Sequence, residues 1–571
     1  MAQKRGELQA SAPPRPVTMS DVAANNKTLI LALLAVVLSM LLSALDQTVV
    51  NPAMPRIVAD LQGFNLLAWV STGYLLTSTA AIPIAGKLGD LFGRKLLLIT
   101  AVVIFLAGSA LCGAASNMTL LVLFRAFQGI GAGALQANAF VMIAELFPDP
   151  ARRAKWQGMI AAVFGLASVI GPALGGFITD NLVWRWVFYV NLPLGLFAVP
   201  ALIFFLPKTT SGVKRSIDWW GAASIVGAIS CLLLALTWGG QKEPNGYPWL
   251  SPQILGLFGG TIVLAALFVF IESRAAEPIV PLRLFKNRTV SSVTVISFAI
   301  GALMLGALYY IPLYVQVVMN ESASSSGAIT TPLALAMVVT NIFTGQFIGR
   351  VGILKIPMVI GSIVILVGVG LLTQLTVNSE LWQVTLYMIV IGIGIGFVMP
   401  TMTIAVQESV QRRDLGSGIS SVQFFRSIGS TVGVALIGTV VTNSYVSNIN
   451  ATAGIKALPA QLVQVLQEPQ NLLVAKVAAS IPAQFREAIK VALTDAVHLS
   501  FVISVGIAVV LLLTIFTVPN IRIKVASKKQ SSQAGSEAVT GNIADSAVPS
   551  NGMVAAKENE GPEANSVPLI H

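Results

Sequence analysis

A helix needs about 20 mostly apolar residues to cross a hydrocarbon core about 30 Å thick. Runs of that kind recur along almost the whole chain and constrain its fold more than any other feature. Roughly fourteen are present: 28–50, 67–84, 97–115, 120–143, 158–178 and 187–206, then a pair at 219–238 and 254–271, then 290–319, 329–349, 357–375, 381–406, 419–441 and 497–518. Hydrophobic residues make up 55% of the chain and charged residues 10%, whereas soluble domains carry about 25% charged residues. The chain is therefore expected to be an all-α integral membrane protein. Its net charge of +11 does not imply a nucleic-acid partner, because in such a chain the placement of charge matters more than the sum. Cys112 and Cys231 both lie in apolar runs, which leaves neither a disulfide framework nor a zinc site.

Lys and Arg are retained on the cytoplasmic side of membrane proteins. Lys87, Arg94, Lys95, Arg152, Arg153, Lys155, Lys208, Lys214, Arg215, Arg412 and Arg413 fall in loops of one side, and the other side's short loops hold Arg56, Arg185 and Lys242. Both termini are therefore expected in the cytoplasm, with the first span uncleaved. This divides the chain into a tail (1–27), six spans (28–206), a linker with two extra spans (207–289), six more spans (290–518) with a long outward segment (442–495), and a disordered tail (519–571). Within the outward segment, Ser480 is a candidate cap with Pro482 in the following first turn, and the segment is either a two-helix cap, an interfacial hairpin or a tolerated insertion.

Between the second and third spans stands "GKLGDLFGRK" (86–95). Gly86, Gly89 and Gly93 allow a tight turn and close helix approach, while Asp90 is able to accept hydrogen bonds from a neighbouring helix N-terminus or pair with a base such as Arg94. The spacing fits a latch between two bundles and equally an ordinary positive-inside turn.

Here the sequence resembles a known family. "GKLGDLFGRK" is similar to the signature loop of the major facilitator superfamily, and "LDQTVVNPAMP" (45–55), "RAFQGIGAG" (125–133), "GPALGG" (171–176) and "WRWVFYVNLP" (184–193) resemble stretches of its fourteen-helix drug:proton antiporters. The resemblance implies two six-helix bundles plus two central helices, alternating access, and proton-coupled export of lipophilic drugs from the cell membrane, with no cofactor beyond the proton. A specific metabolite or lipid, exported or taken up, is the alternative within the superfamily. "GQFIGRVG" (345–352) echoes the loop in the second half without an acid matching Asp90, so the two gates are expected to be unequal.

An ionisable residue near the centre of a span costs about 2.5 kcal/mol or more, so Asp46, Arg125 and Arg426 stand out. At about 1.5 Å per residue, Asp46 lies roughly 24–27 Å from the inner end of its helix and Arg125 roughly 9 Å from the outer end of its own, at similar depth. Asp46 is the candidate proton carrier, with Arg125 either tuning it or bonding carbonyls at a packing site. Arg426 is expected to be structural, paired with Glu408 or capping carbonyls. In "GPALGG", Pro172 removes a donor and Gly171, Gly175 and Gly176 admit a neighbouring helix, which in the resembling antiporters marks exporters.

Trp69, Tyr74, Gln128, Gln136, Asn138, Tyr310, Tyr314, Gln316, Met402 and Gln407 lie on helices that line the pathway in that family, and such side chains hold bulky amphipaths loosely. A single acid, Asp46, favours a monovalent cation or neutral amphipath over a dication. The partners expected are such a small molecule and membrane lipid, with the chain acting as a monomer. With His498 and His571 as the only histidines, and no nucleophile elbow or phosphate loop in its proper context, an enzyme is disfavoured.

Overall fold

A computed structural model of the 571-residue chain describes residues 26–62, 66–147, 149–207, 218–240, 246–321, 323–411, 414–452 and 481–523, with isolated positions between 453 and 480. The helices of the first half are α1 (Asn26–Leu61), α2 (Leu67–Phe92), α3 (Arg94–Gly113), α4 (Met118–Leu146), α5 (Pro150–Asn181), α6 (Trp186–Tyr189) and α7 (Asn191–Phe205). The central pair is α8 (Trp219–Trp238) and α9 (Pro252–Glu272). The second half comprises α10 (Arg288–Val317), α11 (Ala323–Val351), α12 (Lys355–Leu372), α13 (Leu381–Ser409), α14 (Leu415–Ala451) and α15 (Ala483–Thr517). No strands occur among the described residues; only the bridges Gly239–Tyr247 and Ile353–Arg522 do.

Among the described residues, 12 helical segments are long and apolar enough to cross a membrane, α6 and α7 counting as the single span Trp186–Phe205. Val190, between them, keeps a helical conformation. The interruption follows from Pro193, which has no N–H to donate to the Tyr189 carbonyl. Neither α2 nor α10 is among the twelve. Hydroxyls of α2 serve packing: Thr77 donates to the Ala126 carbonyl of α4 at 2.6 Å, and Thr79 and Ser427 of α14 share a hydrogen bond of 2.7 Å.

Apolar side chains collect into one core for the second half and two for the first. Phe424, with Phe425 and Ile428 beside it, crosses from α14 into a first-half core. The lipid-facing helices carry large exposed side chains, as α9 does with Ile262, Val263 and Phe270. That is the pattern expected where the solvent is hydrocarbon.

The expected boundaries need two changes. The outward segment 442–495 is partly made of its neighbours, since α14 continues to Ala451 and α15 begins at Ala483, and Asn448 donates to the Ala492 carbonyl at 3.5 Å. Pro482 is the residue capping α15 and not part of its first turn, while Ser480 lies outside the described residues. The expected tail 519–571 does not begin as a free end either, because Ile523 donates to the Gly352 carbonyl at 2.8 Å and Leu354 to the Ile521 carbonyl at 3.3 Å. Residues 1–25 and 524–571 lie outside the described residues.

Candidate functional site

Asp46 on α1 is 1% exposed and Arg125 on α4 is 3% exposed. The Arg125 Nη1 meets Asp46 Oδ2 at 2.5 Å. On the other carboxylate oxygen, Gln128 Nε2 and Asn191 Nδ2 each donate to Oδ1 at 2.9 Å. Arg125 also donates to Gln128 Oε1 (2.9 Å) and the Val70 carbonyl (3.4 Å), and its guanidinium stands 4.2 Å from the Tyr74 ring centroid. Asn191 is held in turn by Ser109, whose hydroxyl accepts from Asn191 Nδ2 at 2.9 Å and donates to the Phe188 carbonyl at 2.8 Å. Donors from α4 and α7 thus meet on one α1 carboxylate, and α2 and α3 hold those donors in place. A buried charge pair persists only where further hydrogen bonds satisfy its remaining atoms, and here both partners have them. The sequence reading joined Asp46 and Arg125 but missed Asn191 and Ser109. Asn191 follows directly after the α6–α7 interruption, two residues before Pro193.

The 86–95 loop lies at the end of the molecule where Lys87, Arg94 and Arg153 cluster, here called the basic face. Gly93, with φ 92°, ends α2 and starts α3, and this left-handed backbone explains the glycine. Asp90 pairs with Arg94 and also accepts from the backbone amides of Gly416 and Ser417, each at 3.1 Å, in the first turn of α14. A carboxylate there complements the helix dipole, so one aspartate ties the first half to the second. A Cβ on Gly86 would collide with Ser420 of α14, so the glycine sets how closely the halves approach. Arg94 further donates to the Gly86 carbonyl (2.9 Å), Asn138 Oδ1 (3.2 Å) and Glu145 Oε1 (3.4 Å).

Three more bridges lie on this face. Arg153 of α5 reaches Gln407 Oε1 at 2.9 Å and Glu408 Oε1 at 2.5 Å on α13. Lys87 pairs with Glu277 at 2.9 Å, and Arg283 with Asp414 at 2.9 Å. The segment following α9 is therefore tied to both halves.

These contacts correct several expectations. Glu408 pairs with Arg153 and not with Arg426, because it lies at the end of α13 while Arg426 is far along α14. Asn138 belongs to the latch, Gln128 to the Asp46 network, and Gln407 to the Arg153 bridge, so none of them stands free in a cavity. Tyr74 packs under Arg125; Tyr314 donates to the Thr376 carbonyl at 2.6 Å; Met402 accepts from Ser297 at 3.6 Å. Trp69 packs edge-on against Trp238 of α8 at 5.5 Å. Tyr310 is buried, and Gln136 and Gln316 are half-buried. Within "GPALGG", a Cβ on Gly171 or Gly175 would collide with Thr48 or the Val49 carbonyl of α1, and Thr48 donates to the Ala167 carbonyl at 2.8 Å. Gly176 has nothing within 4 Å of such a Cβ and Pro172 faces outward, so neither contributes to that contact.

At the opposite end, exposed Asp60 accepts from Trp184 Nε1 at 2.9 Å and Arg185 Nη1 at 3.0 Å, and these two bonds hold its carboxyl below the usual range.

The sequence profile of the Major Facilitator Superfamily matches residues 36–434. The chain belongs to that family. It is 40% identical over 531 residues to the multidrug transporter protein MdtP of Bacillus subtilis, covering 89% of this chain and 96% of that one. Multidrug resistance protein 3 of the same organism is 36% identical over 513 residues, covering 90% and 98%. The fold is shared with the crystal structure of the human organic anion transporter MFSD10 (TETRAN), at a TM-score of 0.55 and 12% identity, covering 84% of this chain and 99% of that one. The Asp46 network, the loop latch and the α1–α5 glycine contact are therefore features of a multi-pass membrane protein of a transporter family.

Proposed function

We propose that this protein is a proton-coupled exporter of lipophilic compounds that works as a monomer in the cell membrane by alternating access. The observation that carries this reading is the Asp46–Arg125 pair with its Gln128 and Asn191 donors. The carboxylate accepts from α4 and α7, whose donors are braced by α2 and α3, so a shift of these helices breaks or restores its pairing with Arg125. The relatives named as multidrug proteins support a lipophilic cargo. We take the span count as fourteen: the twelve apolar segments together with α2 and α10, which at 26 and 30 residues are long enough to cross. An even count sets both termini on one side, and the basic residues favour the cytoplasm.

The test is dye efflux by purified protein in proteoliposomes, with and without a proton gradient. Efflux that follows the gradient is expected. Equal efflux with the gradient collapsed overturns the coupling, and uptake in place of efflux overturns the direction.

A further inference from the structure

Arg426 sits about three turns into the 37-residue α14 and is only partly buried. Among the described residues it forms no hydrogen bond, ion pair or ring contact. No acid is within reach along the chain: between residues 381 and 451 the acids are Glu408, held by Arg153, and Asp414, held by Arg283. One turn earlier on the same face, Gln423 is 5% exposed, and its side-chain nitrogen is buried with no partner. Residues three apart on a helix are neighbours, about 5–6 Å between Cβ atoms. Two donors without a protein partner, a partly accessible guanidinium and a buried amide, therefore stand side by side inside a membrane protein, where unmet polar groups are costly.

Their surroundings place them at the seam between the halves. Ser427 bonds Thr79 of α2, and Ser430 donates to the Gly301 carbonyl of α10 at 3.1 Å. A Cβ on Gly301 would collide with the Arg426 carbonyl, so α10 approaches α14 closely at this level. Phe424 and Phe425 stand beside it as apolar surface. The charged pair inside the first-half spans is already balanced, since Arg125 pairs with Asp46 and both carboxylate oxygens of Asp46 are occupied. The uncompensated interior charge is thus positive.

We propose that Arg426 and Gln423 form a receptor for the anionic group of an amphipathic substrate, a carboxylate on an aromatic or aliphatic body. A carboxylate accepts from the guanidinium and the amide together, removing both unmet donors at once. This revises the expected cargo: a lipophilic cation is repelled at this level, whereas a lipophilic acid is held. The inference rests on the transport reading above, and its test separates the two.

Purified protein is titrated with pyrenebutyrate and with pyrenebutyramide, which share the aromatic body and differ in charge, and binding is read by fluorescence anisotropy. Wild type is expected to prefer the acid about tenfold, the scale of a hydrogen bond to a charged group. Arg426→Gln removes that preference and leaves amide binding unchanged, Arg426→Lys retains part of it, and Gln423→Ala weakens acid binding about threefold, in line with one neutral bond. Equal affinities of wild type for acid and amide overturn the proposal, and so does a preference that survives Arg426→Gln. If Arg426→Gln does not yield folded protein, the wild-type and Arg426→Lys titrations still decide. Neutral-dye efflux in the same proteoliposomes is the separate arm: efflux without acid preference refutes only this receptor, and absence of efflux refutes the transport reading.

Discussion

In the first half of the molecule Arg125 is enclosed by Asp46, Gln128, the Val70 carbonyl and the Tyr74 ring, whereas Arg426 in the second half, also inside its helix, has none of these. Both are arginines in apolar helices, and for both leaving water is costly. One offsets it within the protein. The other has its charge available for something that arrives. The same asymmetry appears at the basic face, where Asp90 of the first half reaches into the first turn of α14, while Arg350 of the echoing "GQFIGRVG" stands exposed. The halves share an architecture but differ in their contacts: the first holds the buried ion pair and the aspartate of the latch, and the second supplies the helix that the latch grips and the donors without a protein partner.

The largest expected effect comes from removing the charge that balances Arg125. Asp46→Asn keeps an oxygen for Gln128 or Asn191 but cannot titrate, so gradient-driven efflux is expected to fall to the passive leak while the protein remains monodisperse. Normal efflux by the reconstituted mutant would remove Asp46 from the coupling step. Breaking a buried pair costs about 3–5 kcal/mol, so Asp46→Asn is also expected to lower the melting temperature. Asp46→Asn with Arg125→Gln is expected to recover stability without recovering transport, which separates the structural share of the pair from the functional one.

Weakening the grip between the halves comes second. Asp90→Asn gives up charge-assisted bonds to Arg94 and the α14 amides, each worth about 1.5–3 kcal/mol, and a change of that size shifts a two-state population about tenfold or more. Cysteine labelling from the basic face is expected to rise and turnover to slow. Unchanged labelling and turnover would reduce Asp90 to a topology signal.

Much of this was legible in the sequence because charge inside a span is rare. Asp46, Arg125 and Arg426 needed only the apolar runs around them to be noticed, and the ability of Asp90 to bind a helix N-terminus followed from its place in a glycine-rich turn. Asn191 carried no comparable signal, since a neutral amide two residues before a proline reads as ordinary helix start. Arg153 read as a loop charge and Glu408 as a partner for Arg426, and nothing local indicates that residues 255 apart meet. The cavity set fared worst: polar side chains in spans serve latches, ion networks and carbonyl bonds, and periodicity does not distinguish those uses from a binding wall.

The glycines of α5 sharpen the comparison at smaller scale. Gly171→Ala and Gly175→Ala each force a methyl group into α1 and are expected to cost about 1–3 kcal/mol, the range for overpacking, with slower transport. Gly176→Ala meets no neighbour and is expected to match wild type in both. Thermal unfolding of the three variants in one detergent is the measurement. Equal losses at all three positions would mean that the motif acts through helix flexibility and not through contact with α1.

The smallest effect is expected at Asp60, and it tests whether pH acts through the buried network alone. The bonds from Trp184 and Arg185 lower its carboxyl below the usual range. A group whose folded value is depressed contributes stability above its unfolded value and loses that contribution as pH falls through the folded one. At neutral pH Asp60 is therefore fully ionised, and its contribution disappears only in acid, below the ordinary carboxylate value of about 3.9. Because the site is exposed, the effect on stability is small. Asp60→Asn is expected to flatten the acid limb of the melting-temperature profile slightly and to leave the pH dependence of efflux between about pH 5 and 8 unchanged, the window in which a coupling group must titrate. A shifted efflux profile in Asp60→Asn would place a titrating group at the opposite end of the molecule and break the assignment of pH sensitivity to the first-half interior.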